Sequence, residues 1–274
     1  MFRDLLVHVD GSQAGRQRTQ FAVDLAARTG ARVSGLHVTP PVEVPPRYKP
    51  SRVAEVAAEI SSKLSADARA AATVFSEEVT QRLDNARWFA ATGDIVQGIS
   101  DKARYADLVI LGQYEWQGPS EIHPLPIAHS VVMRCGRPVL IVPAGVQPGA
   151  LARIAVAWDG SREAVRAVHD ALPLLRLSRS VQILTMIRPR AERNEVDAES
   201  LSAHLANHGI KFETDVLQIA TAREDEALRE QIEQGDYDAL VMGGYSHPMW
   251  LEFIFGGATR SVLLSSKIPI LVSH

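Results

Sequence analysis

Asp238-Ala-Leu-Val-Met-Gly-Gly-Tyr-Ser246 is the stretch on which the reading of this chain turns. Leu240, Val241 and Met242 make a continuous apolar run, the pattern of a strand buried on both faces, and Gly243-Gly244 ends it. After His247–Phe255, Gly256-Gly257-Ala-Thr259 opens a helical pattern that closes in a second apolar strand, Ile268-Pro-Ile-Leu-Val272. Glycines after a strand and at a helix start let backbone N–H groups approach an anion, so these are candidate phosphate positions. Tight turns use glycine as well, and the signal by itself is weak.

The same succession occurs earlier in the chain. Asp107-Leu-Val-Ile-Leu-Gly112 matches Asp238 to Gly243, and Ser130-Val131 with Pro138-Val-Leu-Ile-Val142 matches Ser261-Val262 with Pro269-Ile-Leu-Val272. Upstream, Leu5-Leu-Val-His-Val9 runs into Asp10-Gly11-Ser12, and Arg153-Ile-Ala-Val-Ala-Trp158 runs into Asp159-Gly160-Ser161. A strand ending in Asp-Gly-Ser reads as a turn and a helix start. The order is that of a duplication, with one unit over residues 1–143 and another over 153–274. Pro143-Ala-Gly-Val-Gln-Pro-Gly-Ala-Leu-Ala152 is a linker by composition.

Strands alternating with helical patterns predict an open, doubly wound α/β sheet with parallel strands in each half. Ligands of such sheets sit at the carboxyl ends of the strands, here marked by Asp10 and Gly112 in one half and Asp159 and Gly243 in the other. Helical spacing runs from Arg52 to Leu83, which at 1.5 Å per residue would span about 45 Å. That exceeds a small α/β unit and predicts a break or an overhanging end. The last strand of each half, Val139–Val142 and Ile270–Val272, has no charge to protect an exposed edge. These edges are expected to pair with each other or with another chain.

Composition removes several function classes. A net charge of -3 with 22% charged residues gives no electrostatic case for nucleic acid or an anionic membrane. Cys135 is the only cysteine, which excludes an internal disulfide and a cysteine zinc site and reads as a buried structural thiol. No apolar run approaches a membrane span, and Met1 leads directly into a strand pattern, so the expected location is the cytoplasm. The histidines show no metal-binding spacing, and neither a P-loop nor a GxGxxG fingerprint occurs. Ser246-His247 lacks the surrounding pattern of a hydrolase nucleophile.

Taken together, Asp-Gly-Ser after the first strand of each half, Leu36-His-Val38 in the second strand, the Gly-containing loop after the fourth and the helix leading to Pro-Ile-Leu-Val resemble the universal stress protein family in its tandem form. The resemblance covers essentially the whole chain. It implies two Rossmann-like domains of the adenine nucleotide alpha hydrolase type, each a five-strand parallel sheet flanked by helices. It also implies a pseudo-dimer through the last strands, with a further homodimer and an unidentified protein partner as open expectations. Some members of that family bind ATP through Gly, two residues, Gly, nine residues, then Gly and a hydroxyl residue. Here that pattern falls on Gly243, Ser246, Gly256 and Gly257, with two departures, and in the first half on Gly112, Glu115, Leu125 and Pro126. A carboxylate and a proline without an N–H do not make a phosphate cradle, so the first half reads as degenerate.

The resemblance implies a second-half site for ATP or another adenine nucleotide built from Asp159, Gly160, Ser161, Ile187, Met242, Gly243, Ser246, Gly256, Gly257 and Thr259. Asp159 and Ile187 would lie toward the adenosine end, and the glycines toward the phosphates. No catalytic residue and no metal ligand is expected. The function implied is stress-response binding or regulation. A slow ATPase and a ligand-free chaperone-like adaptor stay open as alternatives. His247–Phe255, rich in Trp and Phe, reads either as a partner surface or as local packing.

Overall fold

The computed structural model describes residues 1–80, 82–113, 127–146, 149, 151–187, 198–210, 217–220, 224–244 and 258–274. The first half runs β1 (Asp4–His8), α1 (Gln13–Thr29), β2 (Arg32–Thr39), α2 (Val53–Val79), β3 (Ala86–Thr92), α3 (Ile95–Ala103), β4 (Leu108–Gly112), α4 (Ile127–Cys135) and β5 (Val139–Val142). The second half repeats the order as β6 (Arg153–Trp158), α5 (Arg162–Leu175), β7 (Ser180–Ile187), α6 (Ala198–Asn207), β8 (Leu217–Ala220), α7 (Glu224–Gln234), β9 (Ala239–Gly243), α8 (Ala258–Ser265) and β10 (Ile270–Ser273).

All ten strands form one sheet in the order β3-β2-β1-β4-β5-β10-β9-β6-β7-β8. Pairing within each half is parallel, as the alternating pattern predicts. At the centre, β5 and β10 run antiparallel, with Ile270 opposite Ile141, Leu271 opposite Leu140 and Val272 opposite Val139. The two uncharged edges thus satisfy one another inside the chain. A consequence of the antiparallel join is that the carboxyl ends of the two sets of strands lie on opposite margins of the sheet.

Alternate strand residues feed two cores. On one face Leu5, Val7, Ile154 and Val156 pack with Phe21 of α1, Phe75 of α2, Leu174 of α5 and Leu205 of α6. On the other, Leu6, Leu111, Ala155 and Leu240 pack with Ile99 of α3, Val131 of α4, Leu228 of α7 and Val262 of α8. Cys135 is buried in this second layer, and burial pushes its thiol pKa up.

The long helical pattern resolves as one unbroken helix of 27 residues, α2. Only its last third is packed: Ala71, Val74, Phe75 and Val79 are buried, whereas residues 53–70 are exposed or half-buried apart from Val56. The overhang is therefore the physical outcome, not the break. Phe75 anchors the packed end, its ring 5.3 Å from that of Trp88 and close enough to Gly35 that an added Cβ would stand 2.5 Å away.

Asp107 and Asp238 play a role that strand patterning does not reveal. Asp107 Oδ2 accepts from the backbone N–H groups of Arg3 at 2.7 Å and Asp4 at 3.0 Å. Asp238 Oδ2 accepts from those of Ala152 and Arg153, both at 2.8 Å. Each carboxylate ties the start of its half's first strand to the start of the fourth. Side chains also tie the halves together: Gln113 Nε2 donates to Leu263 O at 2.8 Å and Ser266 O at 3.0 Å, and Arg166 Nη2 to Gly136 O at 3.0 Å.

Candidate functional site

Each Asp-Gly-Ser sequence builds the same turn. Ser12 Oγ accepts from Gly15 N at 2.9 Å and Ser161 Oγ from Ala164 N at 3.2 Å, capping the first turns of α1 and α5. Asp10 Oδ1 accepts from Ser12 N, and Asp159 Oδ1 from Ser161 N, both at 2.9 Å. The glycines differ in their reason for being there. Gly160 has φ +70, a conformation that favours glycine. Gly11 lies under α2, where an added Cβ would stand 2.6 Å from Ala70 Cβ.

The first crevice is filled by a side chain. Arg18, from the second turn of α1, is 4% exposed, and its Nε donates to His8 O at 2.7 Å. Its Nη2 meets Asp10 Oδ2 at 2.6 Å. Its Nη1 lies so near Gly112 that an added Cβ there would collide with it. The guanidinium thus spans from the end of β1 to the end of β4, the place where a doubly wound sheet takes its ligand. Burial works to raise the Asp10 carboxyl pKa, but the charge of Arg18 and hydrogen bonds from Ser12 and Arg18 outweigh it and hold the pKa at about 2. His8 is pushed down to about 3, first by burial, then by Arg18. His37 is buried and its Nδ1 lies 2.9 Å from Val9 O, a geometry in which Nδ1 carries the proton and donates.

The second crevice lacks that plug. Counting from the caps Ser12 and Ser161, the residue matching Arg18 is Ala167, buried in the core. Asp159 has Ser161 N as its partner and no cation among the described residues. Gly243, at the end of β9, is crowded by helix backbone: an added Cβ would stand 2.5 Å from Ala164 N. Buried Glu163 pairs with exposed Arg162, Oε1 to Nη2, at 2.9 Å. At the carboxyl ends of β6 and β7, Trp158 and Thr185 are register partners. Trp158 Nε1 and Thr185 Oγ1 are buried without a hydrogen-bond partner. Buried polar groups are ordinarily bonded, so this indole donor and hydroxyl are exceptions, as are Arg32 Nε and Ser100 Oγ in the first half.

Of the residues expected at this site, Asp159, Gly160, Ser161, Met242 and Gly243 converge on the carboxyl ends of β6 and β9. Ile187 ends β7, and Thr259 lies in the first turn of α8. Ser246, Gly256 and Gly257 lie outside the described residues, as do Glu115, Leu125, Pro126 and the apolar segment His247–Phe255. Sequence reasoning missed Arg18, which looks like any charged residue of an amphipathic helix. The signal was available: aligning the two Asp-Gly-Ser turns sets Arg18 against Ala167. Trp158 and Thr185 carry no comparable signal, because a strand-end Trp and a buried Thr are ordinary core residues.

Comparison with known proteins adds the family. The model of the universal stress protein family matches residues 1–143 and again residues 151–274. A universal stress protein from Archaeoglobus fulgidus DSM 4304 has a similar structure, with a TM-score of 0.73 and 17% identity over 98% of this chain and 95% of that one. A putative universal stress protein from Pseudomonas aeruginosa UCBPP-PA14 follows with a TM-score of 0.62 and 15% identity, over 99% of this chain and 93% of that one. At these identities the likeness speaks for the fold. Among curated proteins none matches. Two matches to one family model, on two halves that share a single sheet, make this chain a tandem member of the universal stress protein family.

Proposed function

We propose that the chain is a stress-response binding and regulatory protein that holds one adenine nucleotide, ATP or a relative, in its second half. The observation that carries the reading is the exchange of Arg18 for Ala167: one crevice contains its own guanidinium, and the other presents Asp159 without a cation among the described residues. In this reading Asp159, Gly160, Ser161 and Ile187 receive the adenosine. Met242 and Gly243 close the strand ends beneath it. The same reading assigns the phosphates to Ser246, Gly256, Gly257 and Thr259.

The regulatory step is a population shift, with His247–Phe255, which follows β9 in sequence, as the candidate partner segment. A cytoplasmic location and a further homodimer belong to the same reading. The test is nucleotide release from freshly purified, heat-denatured protein, read by ion-pair chromatography against protein concentration. The reading expects close to one adenine nucleotide per chain, or a one-to-one calorimetric signal when ATP is added to protein purified empty. Neither nucleotide on release nor heat on titration would overturn it.

A further inference from the structure

A second concave place lies far from the Asp159 crevice, at the opposite ends of the same strands. Between α7 and α8, where β9 and β10 begin, is a cavity of about 420 Å³, within the range of small-molecule sites. Its floor is apolar: Ile232, Tyr237 and Val262 are buried and line it. Tyr237 shapes that floor, its ring lying against Gly235 so closely that an added Cβ would collide with the ring.

The rim is charged. Arg229 and Lys267 both line the cavity, the first half-buried and the second exposed. Glu233 stands 3.7 Å from Arg229 with the side chains 47% and 42% exposed, a separation and exposure at which an ion pair contributes little. Lys267 has no acidic partner among the described residues. The cavity thus joins a flat aromatic and aliphatic floor to a rim with a surplus of positive charge.

The two halves differ at several of its lining positions. The alignment of β4 with β9 and α4 with α8 sets Ala106 against Tyr237, Gly136 against Lys267 and Arg137 against Ile268. In the first half Arg137 Nη2 donates to Arg104 O at 2.9 Å, and Arg104 pairs with Asp101 at 3.2 Å. Arg137 thus stands where Ile268 lines the cavity, and Gly136 stands where Lys267 supplies a cation to its rim.

We propose that this cavity binds a small aromatic carboxylate, its ring against Tyr237, Ile232 and Val262 and its carboxylate at Lys267 and Arg229. The occupant is then sensed by the first half, since the wall formed by the end of α8 is the segment that Gln113 holds through Leu263 O and Ser266 O. The site stands independently of the nucleotide reading.

The experiment is a fluorine NMR titration of the full chain with 4-fluorobenzoate, using 4-fluorobenzamide as the uncharged match in shape. Expected is saturable one-to-one binding of the acid, with the amide about tenfold weaker, the size of one charge-assisted hydrogen bond. The exposed Lys267→Glu change should weaken the acid by at least as much, and Arg229→Gln provides a second variant on the opposite wall. Saturating ATP should leave the affinity unchanged. Absence of saturable binding, equal binding of acid and amide, or unchanged affinity in both variants would overturn the proposal, as would displacement by ATP.

Discussion

Asp10-Gly11-Ser12 and Asp159-Gly160-Ser161 share their letters, their caps and their turn hydrogen bonds, yet one crevice holds a guanidinium and the other, among the described residues, does not. The guanidinium comes from Arg18, six residues past its cap, whose counterpart is Ala167. A repeated motif therefore specifies how the chain turns into a helix. Whether a side chain fills the strand ends is decided by a residue that the motif does not include. Gly112 and Gly243 make the same point: one glycine makes room for a guanidinium and the other for helix backbone.

The comparison can be broken first with acid. His8 and Asp10 titrate in the first half, and the position matching His8 in the second is Ala157. His8 has its pKa lowered from 6.5 to about 3, so the unfolded chain takes up the proton first. Stability is then present above pH 6.5 and lost as pH falls toward 3, at about 1.4 kcal/mol for each pH unit crossed in that window. Asp10, lowered to about 2, contributes stability that is present above pH 3.8 and lost as pH falls through 2. Urea unfolding at pH 7 and pH 4.5 should show this loss, and His8→Gln should remove most of it. An unchanged pH slope in the variant would separate acid sensitivity from the first crevice.

Single substitutions test the same contrast. Gly243→Ala drives a Cβ to within 2.5 Å of helix backbone, and overpacking against an unyielding neighbour should cost about 3 kcal/mol. Gly112→Ala meets the end of a side chain and should cost markedly less. Arg18→Ala removes an ion pair and a bond to His8 O, an expected loss of roughly 2 kcal/mol because Asp10 is partly exposed. Asp107→Ala and Asp238→Ala should each cost about 1.5 kcal/mol and match one another, since both carboxylates accept two backbone N–H groups. Denaturation midpoints at constant m report all of these; equal losses at the two glycines would contradict the asymmetry.

The fold was legible because its signals are local or repeated. Apolar runs such as Leu108–Leu111 have one economical reading, and uncharged Val139–Val142 and Ile270–Val272 had to be covered by something. Helix rise alone left a break or an overhang at α2, and the exposed first two thirds of the unbroken helix decide for the overhang. Of the candidate site, the placement of the strand ends and the turn was legible. Asp159, Gly160, Ser161, Met242 and Gly243 come together as the turn chemistry requires. The plug was not legible, since a buried guanidinium and an exposed one look alike in an amphipathic pattern. The staples at Asp107 and Asp238 were hidden for a related reason: they act across more than eighty residues of chain.

The most direct measurement is calorimetric titration of ATP into the wild-type chain and the Ala167→Arg variant, with circular dichroism to check that the variant folds. The account predicts one site per wild-type chain and none in the variant, where the new guanidinium would lie between Asp159 and Gly243 as Arg18 lies between Asp10 and Gly112. Two sites per wild-type chain, or a folded variant that binds ATP as tightly as the wild type, would contradict it.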